Sequence, residues 1–501
     1  MIQIVTKGLI ERVKRFDSMN KDLLPFAYDK RSITPPRLAI TWAATCITIS
    51  AFLVFGAYIE FITVFEAMIA GIIGFSFLAV IQTCLQEMGT VYGLSFPVGA
   101  RLSFGAVGSQ IILLLKLPGT LFWCGYDIYL GGTALNEIFK VLFHFSNLPI
   151  AMGIFACAAV FVIINCARSL NLFQRCVAPL LLIILCYVAY LLFRDSGISP
   201  IEVLGMGGNS DLPFSSKLHQ FALCVSTSMA MWMGFSVSMP NITREATGDP
   251  KNFHSWWKTN KNFAFAQWGG VVPTMLILAF LGCSSAFISG QTNPIVTISE
   301  TLGAESVPIM LVCQVFLCLA ILSAAGGACI MPGALLLCNI FKKVNLKVMF
   351  VIFTVISIVV QPWNLGPVIV QAVGVLGGIQ APLAGIIIAD YFLIRKRRIE
   401  LEALFNPKGK YKYWKGFNPA GVLAYVIAAA IMMAGPLRAY GAPIGVIVSF
   451  VAYFLLMKYW VLKKYPEVKE DVNAKFPDSL EEAEANDEKI NKDLGIDKET
   501  V

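Results

Sequence analysis

Charge is what this sequence has least of. Asp, Glu, Lys and Arg make up 14% of its 501 residues, against roughly 25% in soluble domains. A chain this poor in charge is not mostly soluble. Histidine is nearly missing: His144, His219 and His254 lie far apart and group with nothing. The 13 cysteines are scattered, without a CxxC pair or a His/Cys cluster, which argues against a disulfide framework and against a zinc site. There is no P-loop, no GxSxG elbow and no HExxH, so no soluble catalytic module is visible and the chain is not read as an enzyme. The glycine-rich piece GMGGN at 205–209 lacks the following Lys-Ser/Thr and reads as a turn. No ten-residue alternating strand pattern is present, which excludes an outer-membrane barrel. The first 37 residues lack an apolar core beside a small-residue cleavage site and are not a signal peptide.

Apolar residues are abundant instead, at 57%. A spanning helix needs about 20 of them. Twelve such runs are read, at 38–59, 63–86, 118–143, 149–168, 176–194, 218–240, 264–289, 305–341, 346–361, 367–394, 419–437 and 443–462. Lipid tolerates only helices or closed barrels, so the fold class is an all-α integral membrane protein. Residues 1–37 form a basic segment holding Lys7, Arg12, Lys14, Arg15, Lys21, Lys30, Arg31 and Arg37. Every second loop adds cations: Arg101; Arg168 and Arg175; Arg244, Lys251, Lys258 and Lys261; Lys342, Lys343 and Lys347; and Arg395 to Arg398 with Lys408, Lys410, Lys412 and Lys415. The opposite loops are poor in Lys and Arg, and 283–304 has none. The positive-inside rule then places both termini in the cytoplasm of a multi-pass cell-membrane protein. The formal charge of +8 reflects that topology rather than nucleic-acid binding, since no soluble basic domain exists to carry it. Arg101 and the run 395–398 read as anchors to anionic lipid headgroups. The tail 466–501 mixes Glu, Asp and Lys and reads as a charged cytoplasmic tail, a solvated or disordered extension.

Polar groups inside the spans are the candidates for function. Asp127 stands in LFWCGYDIYLGG (121–132), among apolar, aromatic and glycine residues. A carboxylate at a helix centre costs ~2.5–3.5 kcal/mol on insertion scales and marks a pathway, a partner or a proton site. Trp123, one turn earlier, shares its face. Span six carries Trp232, then Gly234, Ser236, Ser238 and Pro240; Gly and Pro there hint at an unwound stretch of the kind that builds transporter sites. Span eight reads ILSAAGGACIMPGA (321–334), where small residues suit close helix approach and Ser323 and Cys329 could face a cavity. In span one, Thr45, Thr48 and Ser50 either line a site or bond back to their own helix carbonyls.

Three segments carry a family resemblance: YGLSFPVGARLSFGAVGSQ (92–110) followed by LFWCGYD, MPNITREATGDP (239–250), and ADYFLIRKRRIELEALFNPKGKYKYWKGFN (389–418). With them the chain resembles the nucleobase–cation symporter-1 family, closest to its bacterial sodium–hydantoin permease branch, from about Pro25 to Tyr465. The resemblance implies a leucine-transporter-like fold. Inverted repeats would cover about 38–194 and 218–394, with extra helices about 419–462, all within a transporter domain of 38–465. It implies a flat ring held between Trp123 and Trp232, with Asp127, Cys329 and Thr48 at the positions of the branch's glutamine, asparagine and glutamine. An amide both donates and accepts, whereas an ionised carboxylate only accepts, so the hydrogen-bond pattern is rewritten while the stacking is kept. A sodium site is implied on Ala44, Ile47, Ala320 and Ser323, with Ala324 where the branch has threonine.

The resulting expectation is a secondary active transporter, a cation symporter without a cofactor. It would import a nucleobase or related planar heterocycle (hydantoin, allantoin, uracil, cytosine or a vitamin precursor) by alternating access, coupled to sodium or a proton. The alternative is a proton-coupled or sodium-independent permease for a cationic heterocycle or amine, with Asp127 as its charge partner.

Overall fold

The computed structural model describes residues 4–14, 16, 24–209, 211–341, 343–406, 409–434, 437, 440–471, 474–477 and 479–493, side chains of 167–175, 339–340 and 433 excepted. Arg15, Lys21, Lys342 and Lys408 therefore lie outside the described residues, as do the side chains of Arg168 and Arg175. Helices account for the architecture, and the described residues form only isolated β-bridges.

Eight helices among the described residues are long and apolar enough to cross a membrane: Val64–Tyr92, Gly108–Phe143, Leu148–Cys166, Cys176–Ser196, Trp256–Ser289, Val307–Cys338, Pro362–Ile394 and Gly441–Lys464. Four shorter or broken segments complete the expected dozen. Span one is Pro35–Cys46 and Ile49–Glu60, bent by 61°. Span six is Phe214–Met231, Met233–Val237 and Met239–Thr243. Spans nine and eleven are Leu346–Val359 and Pro419–Met433. Large apolar side chains such as Phe77, Phe161 and Ile183 point outward, a surface suited to lipid and hazardous in water.

Local sequence explains several ends. Thr63 and Glu66 close a reciprocal capping box at the start of span two, satisfying two orphan N–H groups. That span runs to Gly93, whose φ of +60° ends it in the left-handed region that glycine enters freely. It thus ends six residues beyond the apolar run at 63–86, because Gln86, Glu87 and Thr90 are polar yet buried. Spans four and five are one helix, Leu148–Ser196, broken at Cys166. Span eight is continuous only through a π-helical turn at Ala325–Ile330. The loop before span three holds the helix Phe96–Phe104, and span three itself begins with a short helix, Gly108–Leu114, ahead of Leu117–Phe143.

Spans one, two, six and seven pack together, as do three, four and eight; eleven and twelve lie against each other, and both touch ten. Glycine sets the closest approaches. A Cβ on Gly74 would stand 2.6 Å from the Val225 carbonyl oxygen, and one on Gly282 2.6 Å from that of Phe52. Such contacts bring spans two and six, and seven and one, nearly to backbone contact.

The tail corrects one expectation. It is not a solvated extension: helix Leu480–Asp493 docks on helix Lys7–Lys14 near the N-terminus. Arg12, 2% exposed, donates to Asp487 at 2.5 Å, Glu402 at 2.5 Å and Asn491 at 2.7 Å. Upstream, Phe476 packs among Tyr92, Phe253, His254 and Arg397. The basic run is corrected too. Arg395, fully buried, does not reach lipid headgroups; it donates to Asp390 (3.1 Å), Glu470 (2.9 Å) and Tyr413 (2.7 Å). Arg397 binds Glu87 of span two at 2.8 Å. Both termini consequently sit on one face of the bundle.

Removing one member of a buried ion pair strands the other, at a cost of ~3–5 kcal/mol. Arg12→Ala is expected to undock the last helix while the spans stay folded. Limited proteolysis in detergent micelles should then cut within 479–493 at least about tenfold faster than in wild type. Equal cleavage rates would contradict the docking.

Candidate substrate and cation site

The breaks in spans one and six build the site. Span one stops at Cys46 and restarts at Ile49, and the Thr48 hydroxyl accepts the Ala51 N–H at 3.2 Å. In an unbroken helix that N–H would bond the Ile47 carbonyl, which here is left without its helical partner. In span six, Trp232 leaves helical geometry at φ −111°, ψ 12°, and Ser238 does so again. The Ser236 hydroxyl donates to the Trp232 carbonyl at 2.9 Å and accepts from Gln82 at 3.0 Å.

Between these breaks and spans three, eight and ten lies a cavity of about 900 Å³. It is lined by Thr48, Trp123, Asp127, Trp232 and Cys329, the five residues singled out in the sequence for substrate. Trp232 is 8% exposed and stands edge-on to Trp42 at 6.5 Å, which fixes its ring. The cavity continues past Lys116 to Ser95, Arg101, Asn241 and Arg244. Arg101 donates to the Leu404 carbonyl at 3.1 Å, so this end opens on the face that carries the termini. Burial draws the Arg101 guanidinium down to about 10, which leaves it cationic at neutral pH.

The opposite end is shut. Tyr129, two residues beyond Asp127, stacks on Trp363 with ring centroids 5.7 Å apart and planes 15° off parallel. Asn293 reaches the Tyr129 hydroxyl at 3.4 Å. Gly125 lets the span nine–ten linker close in: a Cβ there would stand 2.7 Å from Pro362.

Asp127 is 6% exposed. Ser50 donates to its Oδ1 at 2.5 Å and the Cys329 thiol to its Oδ2 at 3.7 Å. Among the described residues it has no ion-pair partner. Each oxygen keeps a lone pair for something else.

A second, small cavity of about 20 Å³ adjoins it, room for roughly one water-sized guest. Its lining includes Ile47, Thr48, Ser50, Asp127, Ala320, Ser323 and Ala324. Three of the four residues singled out for a cation, Ile47, Ala320 and Ser323, therefore meet here, while Ala44 stands in the last helical turn before the break. Carbonyl, hydroxyl and carboxylate oxygens suit a hard cation. Against that, the Ser323 hydroxyl donates to the Ala320 carbonyl at 2.8 Å, and Ala324 offers a methyl.

Two residues escaped the sequence reading. Lys116 lines the main cavity, donates to the Ser238 hydroxyl and lies 4.8 Å over the Phe96 ring. The argument that singled out Asp127 applies to it equally, a charge in an apolar run, IILLLKLPG (111–119). Gln380 of span ten lines the same cavity, and a neutral amide carries no such signal. Thr45 bonds back to the Thr41 carbonyl at 2.7 Å, a local role only.

Residues 25–462 match the family model described as permease for cytosine/purines, uracil, thiamine, allantoin. The chain is 33% identical over 454 residues to a hydantoin permease of Microbacterium maritypicum, covering 89% of this chain and 90% of the relative. It is 27% identical over 477 residues to an allantoin permease of Bacillus subtilis, covering 88% and 93%. Among solved structures, the inward-facing conformation of Mhp1 superposes with a TM-score of 0.84 at 30% identity, covering 94% of this chain and 97% of that one. The closed conformation of Mhp1, a nucleobase-cation-symport-1 family transporter with bromovinylhydantoin bound, gives 0.78 at 30% identity, covering 94% and 99%. The fold is thus leucine-transporter-like, and the chain is a membrane permease belonging to the nucleobase–cation symporter-1 family.

Proposed function

We propose that this permease imports a neutral planar nitrogen heterocycle of the hydantoin, allantoin or nucleobase class together with a cation, and that Asp127 is the group through which the two are coupled. The observation that carries this reading is the convergence of Trp123, Trp232 and an unpaired carboxylate on one cavity. Aromatic faces give a flat ring contact area and dispersion at little entropic cost. Asp127, with one donor on each oxygen, can accept a ring N–H. Hydantoin and allantoin, for which the two permease relatives are named, are rings of that kind.

Asp127 borders both cavities, so a positive charge in the small one alters how strongly the carboxylate holds a ligand in the large one. Depletion of hydroxyl ligands at Ala324 favours a proton on Asp127 as the coupling charge, while the oxygens of Ile47, Ala320 and Ser323 favour sodium. The bias of Lys and Arg toward the face of the termini supports a cytoplasmic placement of both ends, which makes the observed cavity the release path. The lack of an ion-pair partner for Asp127 supports one second reading, a cationic ring or amine neutralised directly by the carboxylate.

Uptake of labelled hydantoin, allantoin, uracil, cytosine and a thiamine precursor, with and without sodium and at external pH 5.5 and 7.5, tests this. A proton-coupled carrier concentrates its ring more at the lower pH, and Asp127→Asn flattens that dependence and abolishes accumulation above equilibrium. A sodium-coupled one needs sodium at both pH values, and Asp127→Asn raises the sodium requirement about tenfold. Saturable uptake of none of these rings overturns the proposal; uptake confined to amines selects the second reading.

The Tyr129–Trp363 stack closes the far side. An aromatic pair contributes ~0.5–1.5 kcal/mol beyond its buried area, so Trp363→Ala should shift the inward–outward balance toward outward by about 2- to 12-fold. Thiol labelling of Thr48→Cys from that side with a membrane-impermeant reagent should quicken accordingly. An unchanged rate would show that the stack does not hold the gate.

A further inference from the structure

Gln380 belongs to the helix Ile369–Ile388 of span ten. It is 6% exposed and lines the large cavity. Its side-chain amide makes no hydrogen bond among the described residues, and its Oε1 is buried without a partner. Buried amides are nearly always paired, and leaving one unpaired carries a desolvation cost that a bound ligand would offset.

The surroundings hold the amide in place. A Cβ on Gly119 of span three would stand 2.4 Å from Gln380 Nε2, and one on Gly234 of span six 2.4 Å from its Oε1. Any other residue at either position would displace it. Gly119, Trp123 and Asp127 follow at four-residue intervals and share a face of span three. They climb about 12 Å along the helix axis at ~1.5 Å per residue. The Trp123 ring therefore has a polar group on each side, Asp127 one turn beyond it and the Gln380 amide one turn before it. Two hydrogen bonds of about 2.9 Å leave about 6 Å of that climb, room for one ring and its exocyclic atoms.

We propose that Gln380 is a second specificity-determining residue of this site: it reads the edge of the planar substrate opposite Asp127 and selects rings whose edge sets a donor beside an acceptor, as in a lactam or imide. An amide offers both partners in one plane, N–H to the ring carbonyl and C=O to the ring N–H. This rests on the reading of the cavity as a heterocycle site and adds which edge chemistry that site prefers. The amides that the resembling branch places on spans one, three and eight are replaced here by Thr48, Asp127 and Cys329, and span ten supplies the cavity with an amide of its own.

The test is competition binding to purified full-length protein in nanodiscs. Uracil and hydantoin serve as probes that set a ring N–H beside a carbonyl, and their N,N′-dimethyl derivatives as probes that keep the carbonyls and lose the donors. Wild type is expected to favour the first pair. Gln380→Leu should weaken that pair about tenfold, since a site built to pair a polar edge rejects poorly once its partner is gone. Gln380→Glu, ionised and accepting only, should also weaken uracil and hydantoin about tenfold, because it repels the carbonyl beside their ring N–H, and should leave the dimethyl derivatives within about twofold. Affinities within about twofold of wild type and unchanged ranking in both variants would overturn the role of Gln380 while leaving the transporter reading intact. Equal weakening of all four rings in both variants would mark Gln380 as packing support and overturn it as well. Failure of all four to bind wild type would instead overturn the heterocycle site itself, and this inference with it.

Discussion

A helix that stops inside a bilayer leaves amides and carbonyls that lipid cannot satisfy. Everything else in this transporter is arranged around two such stops. In span one the Thr48 hydroxyl takes up the Ala51 N–H, and residues of the break, Ile47 to Ser50, line the small cavity. In span six the Ser236 hydroxyl caps the Trp232 carbonyl, itself held by Gln82 of span two. Spans two and seven supply the packing that permits this, through glycines that admit neighbouring backbones. The breaks are tolerated because the groups they free line cavities rather than lipid.

Charge follows the same rule. Asp127 is buried but borders water-accessible space, with only Ser50 and Cys329 as donors. Glu87 and Asp390, as deeply placed, are each matched by an arginine, Arg397 and Arg395. The contrast separates structural charge from functional charge more sharply than burial does. Carboxylates that hold the bundle together are paired; the carboxylate in the cavity is not. Lys116 lies between these cases, bound to a hydroxyl and an aromatic face.

Much of the fold was legible, because apolar runs of spanning length and the Lys/Arg bias are written in composition. Trp123 and Asp127 stood out since the four-residue interval is local, and Trp232 did so through the glycine and proline beside it. Ser323 and Cys329 read in sequence only as able to face a cavity, and their roles, like those of Ala44, Ile47 and Ala320, came through resemblance; the meeting of Cys329, Ile47, Ala320 and Ser323 with Asp127 is a tertiary fact. Gln380 was missed because an amide in a glycine-rich apolar run announces nothing until the helices facing it are known. The basic run misled for a related reason. Four consecutive cations look alike in sequence, yet Arg395 turns inward and is wholly buried. The tail escaped because its docking joins residues as far apart as Thr6 and Asp487, and no local pattern reports a pairing across the whole chain.

That docking bears on how the protein is made. Glu470 receives Arg395, Lys410 and Tyr411, and Phe476 is wedged between the end of span two and the loop before span seven. These partners are synthesised long before the tail emerges, and segments ordinarily fold in the order they leave the ribosome. The face of the bundle that carries these contacts must wait, with one side of Arg395 unmet, until Glu470 has been translated. Glu470, Phe476 and the helix Leu480–Asp493 thus act as a completion signal: a chain cut short before them would insert its spans yet lack the piece that finishes that face.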